Sequence, residues 1–185
     1  MTTAATRLAA RGPFATVLLC AALAGCTTLA PLAPALPGEA ISGRLALRVD
    51  ATPREPARAF SAAFDLRGSA GDGVLSLSTP LGSTLGQARW QPGVVTLATP
   101  QGTRRFADLD AMTREVLGES VPVDAWFDWL RGRPWPGATS TASASGFAQL
   151  GWSVDVSGRA EGSVVAVRTS PPPVVTVRIR LDTAG

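Results

Sequence analysis

Histidine and lysine are both missing from this 185-residue chain, and cysteine occurs only twice, at Cys20 and Cys26. Without histidine, Ser-His-Asp and Cys-His nucleophilic sites are excluded. A zinc centre of the usual His/Cys kind has no ligand set, so no metal is expected. Carboxylate pairs are available in principle, but nothing in the sequence marks out any of the 14 acidic residues. No G-x-x-x-x-G-K-[ST] phosphate loop is present, so no nucleotide-driven step is expected. Every one of the 17 basic residues is arginine, which titrates very high and lifts the pI to about 10.0 although the formal net charge is only +3. Those arginines are scattered among acids instead of forming the basic stripe of a nucleic-acid binder, and no nucleic-acid partner is expected.

The N-terminus carries Arg7 and Arg11, a short apolar run over residues 14–23, and then Leu23-Ala24-Gly25-Cys26. A basic region, an apolar core too short to span a bilayer and small residues before a cleavage point read as a secretory signal peptide over residues 1–25. Leu-Ala-Gly-Cys looks like a bacterial lipobox, in which Cys26 is acylated and becomes the first mature residue. Cys20 leaves with the signal, so no disulfide can form in the mature chain, and acylation accounts for the one remaining thiol. Loss of Arg7 and Arg11 leaves fifteen arginines against fourteen acids, a net +1. In residues 26–39, Pro31, Pro34 and Pro37 recur at a spacing of three, as in an extended, semi-rigid tether. Its thirteen residues after the cysteine would reach ~40 Å. Residues 40–185 remain as one domain, long enough for a core of its own.

That domain reads mostly as strands. Ile41, Gly43, Leu45, Leu47 and Val49 alternate with Ser42, Arg44, Ala46 and Arg48, and Phe60, Ala62, Phe64 and Leu66 repeat the pattern. Further strands are expected at 75–77, 85–90, 94–98, 104–106, 147–156, 164–168 and 174–181, joined by Gly- and Pro-containing turns. Two helices interrupt them. Asp108 caps a segment in which Leu109, Met112, Val116 and Leu117 form one stripe and Gly118 is the stop. Pro122 opens a second, with Val123, Trp126, Phe127 and Leu130 on one face and Gly132 after its end. A loop rich in small residues is expected over 137–146. The class is α+β: a single curved antiparallel sheet, an open or incomplete β-barrel, with helices covering its concave apolar face.

One turn is unusual. In LSLSTPLGSTL, residues 75–85, the tip Pro80-Leu81-Gly82 carries a leucine where a polar residue would be ordinary. Leu81 either folds back into the core or projects from the tip.

The collinear order of GRLALR, STPLGSTLGQARWQPGVVTL, the Leu-Gly ending the first helix, VPVDAWFDWLRGRPWPG and Gly151-Trp152 resembles the LolB family. The chain departs from the family pattern at its end, LDTAG, where a tryptophan usually closes the last strand, and over residues 133–147. The resemblance implies a non-enzymatic, monomeric outer-membrane lipoprotein with no cofactor. It would accept acylated lipoproteins from the periplasmic carrier LolA and insert them into the inner leaflet of the outer membrane. The partners implied are LolA, the acyl chains of client lipoproteins and outer-membrane phospholipid. Thr27 after the lipidated cysteine, in place of the aspartate that retains lipoproteins in the inner membrane, fits the periplasmic face of the outer membrane. The resemblance also implies that Leu81, with Pro80 and Gly82, forms a membrane-inserting loop. An acyl cavity would draw its lining from Leu45, Leu47, Phe60, Phe64, Leu75, Leu77, Trp90, Leu97, Met112, Trp126, Phe127, Leu130 and Trp152, the same residues that would build a solid core. Two other readings stand beside it: a passive structural or small-lipid-binding outer-membrane lipoprotein, and a hydrolase working without histidine.

Overall fold

A computed structural model describes residues 39–182. Cys26, the signal and most of the tether lie outside the described residues. Eleven strands form one antiparallel sheet in the order β6-β5-β4-β3-β2-β1-β11-β10-β9-β8-β7. The first six are β1 (Glu39–Val49), β2 (Arg58–Gly68), β3 (Gly73–Ser78), β4 (Thr84–Gln91), β5 (Val94–Thr99) and β6 (Gly102–Phe106), a meander of hairpins. The last five are β7 (Ser140–Ser143), β8 (Gly146–Gln149), β9 (Trp152–Asp155), β10 (Ser163–Arg168) and β11 (Val175–Leu181), a second meander. The two halves join where β11 pairs with β1, with Leu45 opposite Ile179 and Leu47 opposite Val177. Among the described residues β6 and β7 are unpaired edges, and the sheet is open.

Between the halves run helix α1 (Leu109–Leu117) and, after a 3-10 turn at Val123–Ala125, the single-turn helix α2 (Trp126–Trp129). The alternation read from the sequence decides which face they cover. Leu45, Leu47, Val49, Phe64, Leu66, Leu75, Val177 and Ile179 are all buried and pack in one cluster with residues of both helices. Asp108 caps α1 as expected, its carboxylate accepting from the Ala111 N–H at 2.7 Å. Gly118 ends it at φ 77°, a left-handed conformation that suits glycine, with the Arg58 guanidinium packed where a Cβ would sit.

Three elements differ from the sequence reading. The second helix has only one α-turn, and the segment from Val121 to Leu130 is buried on nearly every side within the core cluster. Residues 137–146 contain β7, an edge strand whose residues are all exposed and therefore carry no alternation to read. The stretch 147–156 is two strands, reversed at Leu150-Gly151. Both residues have positive φ, 54° and 79°, as a two-residue hairpin turn requires. Asparagine or glycine is the natural choice at the first of these positions. Leu150→Asn should therefore stabilise the domain, by roughly 1 kcal/mol given the usual penalty for a branched left-handed residue. An unchanged or lowered melting temperature would contradict that.

A buried glutamine ties the segment after α2 to β8. The Gln149 Oε1 accepts from the Trp129 indole at 2.8 Å and the Trp135 backbone N–H at 2.9 Å. Its Nε2 donates to the carbonyls of Trp135 and Ala138 at 2.7 and 2.8 Å. Every polar capacity is used, so this burial carries little penalty.

Candidate functional site: an apolar cleft beneath helix α1

Helix α1 packs against β5 and β6. Beneath it lies a cleft of about 70 Å³ whose wall is apolar apart from the Thr113 side chain. Eight of the residues proposed from the sequence line it: Leu45, Leu47, Phe60, Leu75, Leu77, Leu97, Met112 and Trp126. Phe64 and Phe127 lie elsewhere, in close-packed core; Trp90 and Trp152 line a separate, partly polar cavity, and Leu130 borders another. Trp90 meets Phe127 edge to face with ring centroids 6.2 Å apart, and its indole N–H is spent on the Ala70 carbonyl at 3.0 Å.

The cleft exists because small residues stand where large ones would close it. Gly86 and Ala88 occupy the inward positions of β4, opposite Leu77 and Leu75. That pairing of small with large was a signal available in the sequence. The contributions of Val121, Val123 and Val177 were not, since nothing distinguishes them from other core valines. Val116, which the helical stripe placed inward, is 51% exposed at the cleft's rim.

Several contacts hold α1 over the cleft. Arg104 points inward from β6 and pairs with Glu115. Asp110 is bonded by Ser120 and by Arg114. These two contacts, the Ser120 hydroxyl foremost, hold its carboxyl below the usual range although burial opposes them. Just past the helix, Glu119 accepts from the Arg168 Nη2 at 2.5 Å. Both partners of that pair are mostly buried, and the guanidinium lies over the Trp152 ring, 5.8 Å from its centroid.

The turn after β3 is tightly bonded. The Thr79 N–H donates to the Ser83 carbonyl and the Gly82 N–H to the Thr79 carbonyl, each at 2.9 Å, and the Ser83 N–H reaches the Thr79 hydroxyl at 3.1 Å. Gly82 sits at φ 85°. The side chain at the tip is held out: Leu81 is 95% exposed, and it does not fold back into the core. A register shift at Leu77/Ser78 lies at the base of this turn, where Leu77 and Gly86 line the cleft.

A second cavity, about 460 Å³, adjoins the first across Val121. It is larger but lined partly by Asp108, Asp110 and Asp124, so an alkyl chain entering it would strip water from carboxylates. The smaller, apolar cleft is the better match for hydrocarbon. Burial foremost, with the Asp110 charge nearby, raises the Asp124 carboxyl above its ordinary value. A raised aspartate favours the native state below its unfolded pKa, and that contribution is lost as pH rises through the folded value. Asp124→Asn should accordingly stabilise the domain at neutral pH, with the gain vanishing in acid. Thermal melts at pH 7 and pH 3 with equal differences from the parent would refute this.

Comparison with known proteins agrees with this geometry. Residues 40–181 match the family described as outer membrane lipoprotein LolB. An outer-membrane lipoprotein LolB of Bordetella petrii is 35% identical over 178 residues, covering 89% of this chain and 88% of its own. That of Bordetella pertussis is 33% identical over 181 residues, covering 91% and 89%. Another, from Chromobacterium violaceum, is 32% identical over 140 residues, covering 71% and 74%. With the matched region spanning the whole described sheet, the chain belongs to the LolB family of outer-membrane lipoproteins.

Proposed function

We propose that the chain receives the acyl chains of client lipoproteins from the periplasmic carrier LolA in the cleft beneath α1, and then yields them to the inner leaflet of the outer membrane. Cys26, acylated at the end of the tether over residues 26–39, would keep a monomeric acceptor domain at the periplasmic face. The observation that carries this reading is the apolar cleft itself, roofed by a short helix. An acyl chain cannot cross water unshielded, since each buried CH₂ is worth ~0.8 kcal/mol. With no nucleotide site to drive it, the transfer must be downhill: each ~1.4 kcal/mol of tighter holding than the carrier gives tenfold in occupancy.

At about 70 Å³ the cleft has room for a few water molecules and not for an alkyl chain. Uptake therefore requires α1 to lift, enlarging the cleft without unfolding the sheet. The exposed position of Val116 at the rim offers a direct test. A photoreactive phenylalanine analogue introduced there should crosslink to a client delivered by loaded carrier, and not to the same client lacking its acyl chains. Equal crosslinking of both would mean that the cleft does not recognise hydrocarbon, and would favour a passive structural role.

A further inference from the structure

Successive strand residues point to opposite faces, so half of the strand side chains face away from the helices. The charges on that outer face are not balanced. Its middle carries Arg44 and Arg48 on β1 and Arg178 and Arg180 on β11, with Arg89 and Arg105 towards one edge. The acids on this face are Asp65 and Asp155 within the strands and Asp50 and Asp182 at strand ends. Arg67 pairs with Asp65 at 2.5 Å, Arg48 with Asp50 at 2.8 Å, and Asp182 accepts from the Ser42 hydroxyl at 2.9 Å. By contrast, Asp108, Asp110, Glu115, Glu119, Asp124 and Asp128 all belong to the helical segment on the other side. On this outer face seven arginines stand against four aspartates, a surplus of cations in a chain of nearly neutral net charge.

β1 is the sixth of eleven strands, so the four central arginines stand at the middle of the sheet. Arg44 is directly opposite Arg180, and Arg178 is opposite Ala46. Like charges in direct cross-strand register destabilise a sheet. Among the described residues neither Arg44 nor Arg178 has an ion pair or side-chain hydrogen bond, and Arg180 reaches only the Glu161 carbonyl, at 3.2 Å. All four are exposed, and the neighbouring outward positions Ala46, Ser61 and Ala63 are small, so the guanidiniums stand above their surroundings. Arg48 is engaged by Asp50, but among the described residues no contact within the fold accounts for Arg44 or Arg178.

We propose that this outer face, centred on Arg44, Arg178 and Arg180, is a contact surface for an anionic phospholipid bilayer. The guanidinium fork matches a phosphate bidentately, and a bilayer surface is what an outer-membrane lipoprotein has constantly within reach. The face lies opposite the cleft, so contact through it leaves α1 uncovered. This inference is independent of what the cleft carries. It also differs from any contact at Leu81 in its salt dependence. Charge attraction fades as the screening length falls from ~10 Å at 0.1 M salt to ~3 Å at 1 M, whereas burial of a leucine does not.

The test uses the full chain reconstituted into vesicles of phosphatidylcholine, alone or mixed with phosphatidylglycerol. Arginines are modified with phenylglyoxal and the rates read peptide by peptide, with Arg114 on the exposed side of α1 as the internal reference. On the anionic vesicles Arg44, Arg178 and Arg180 should react about fivefold more slowly, the factor corresponding to the usual attraction of one arginine to an anionic surface. That protection should disappear at 1 M salt, with Arg114 unaffected throughout. Equal rates on the two vesicle types, protection that survives high salt, or protection shared by Arg114 would each overturn the proposal.

Discussion

Replacing Arg104 and Glu115 together by cysteine and bridging the two thiols with a bis-methanethiosulfonate should give a protein that accepts no client until the bridge is reduced. The reagent's length stands in for the reach of the two long side chains. The two side chains are in direct contact between edge strand β6 and α1, which makes them the link between the cleft's roof and its wall. The nine residues of α1 form a rod only ~13 Å long, fixed at its ends by the Asp108 cap and the Glu119–Arg168 pair. A covalent bond near its C-terminal end would hold the cleft near its present volume of about 70 Å³, too small for an alkyl chain. The exposed Arg104–Glu115 ion pair is a weak latch, worth at most ~1 kcal/mol, which client binding can open. The covalent bridge cannot be opened that way. Arg104→Cys alone should transfer clients almost normally, since it removes only the weak latch. Undiminished acceptance by a chain whose crosslink is verified by mass would show that α1 does not have to move.

Leu81→Glu should leave the domain's stability unchanged while strongly impairing delivery into liposomes. The side chain is 95% exposed, and the turn beneath it is built from the backbone and the Thr79 hydroxyl, which the substitution does not touch. Surface changes of this kind stay within ~0.5 kcal/mol of the parent. At a bilayer the balance is different. A leucine gains on entering hydrocarbon where a carboxylate is penalised, a swing of ~3 kcal/mol at full depth, or roughly 100-fold. Uptake from the carrier, on the proposed route through the cleft, should remain normal. A stable Leu81→Glu chain that delivers as well as the parent would remove the tip from the mechanism.

How much of this was legible in the sequence depends on what each element buries. β1 and β2 bury one face and expose the other, so period-two alternation named their inward residues correctly from Ile41 to Leu66. α1 announced both ends, through a cap and a left-handed glycine that are local chemistry. The segment around α2 buries all its faces, and a pattern with no polar side says little about length or helix type. β7 failed for the opposite reason: an edge strand with nothing buried has only backbone pairing to define it. The same logic applies to the site. Phe64 and Leu75 are equivalent as sequence, yet one fills the core and the other lines the cleft.

The sequence by itself determined the absence of histidine chemistry, the lipobox-like Cys26, the antiparallel class and the Pro80-Leu81-Gly82 turn, though not that Leu81 projects from it. Each follows from residue identity or from near neighbours along the chain. Tertiary structure decided what required distant segments to meet. The cleft depends on Gly86 and Ala88 coming beneath Met112 and Val116, and the burial of Trp126 depends on strands from both halves of the sheet packing around it. The cluster of arginines at the middle of the outer face depends on β11 returning to pair with β1, residues about 135 apart, so that Arg44 and Arg180 become neighbours. Hydrophobic periodicity reports which way a side chain points within its own strand. It carries no information about which strand lies alongside, and a cavity or a charged surface is a property of that adjacency.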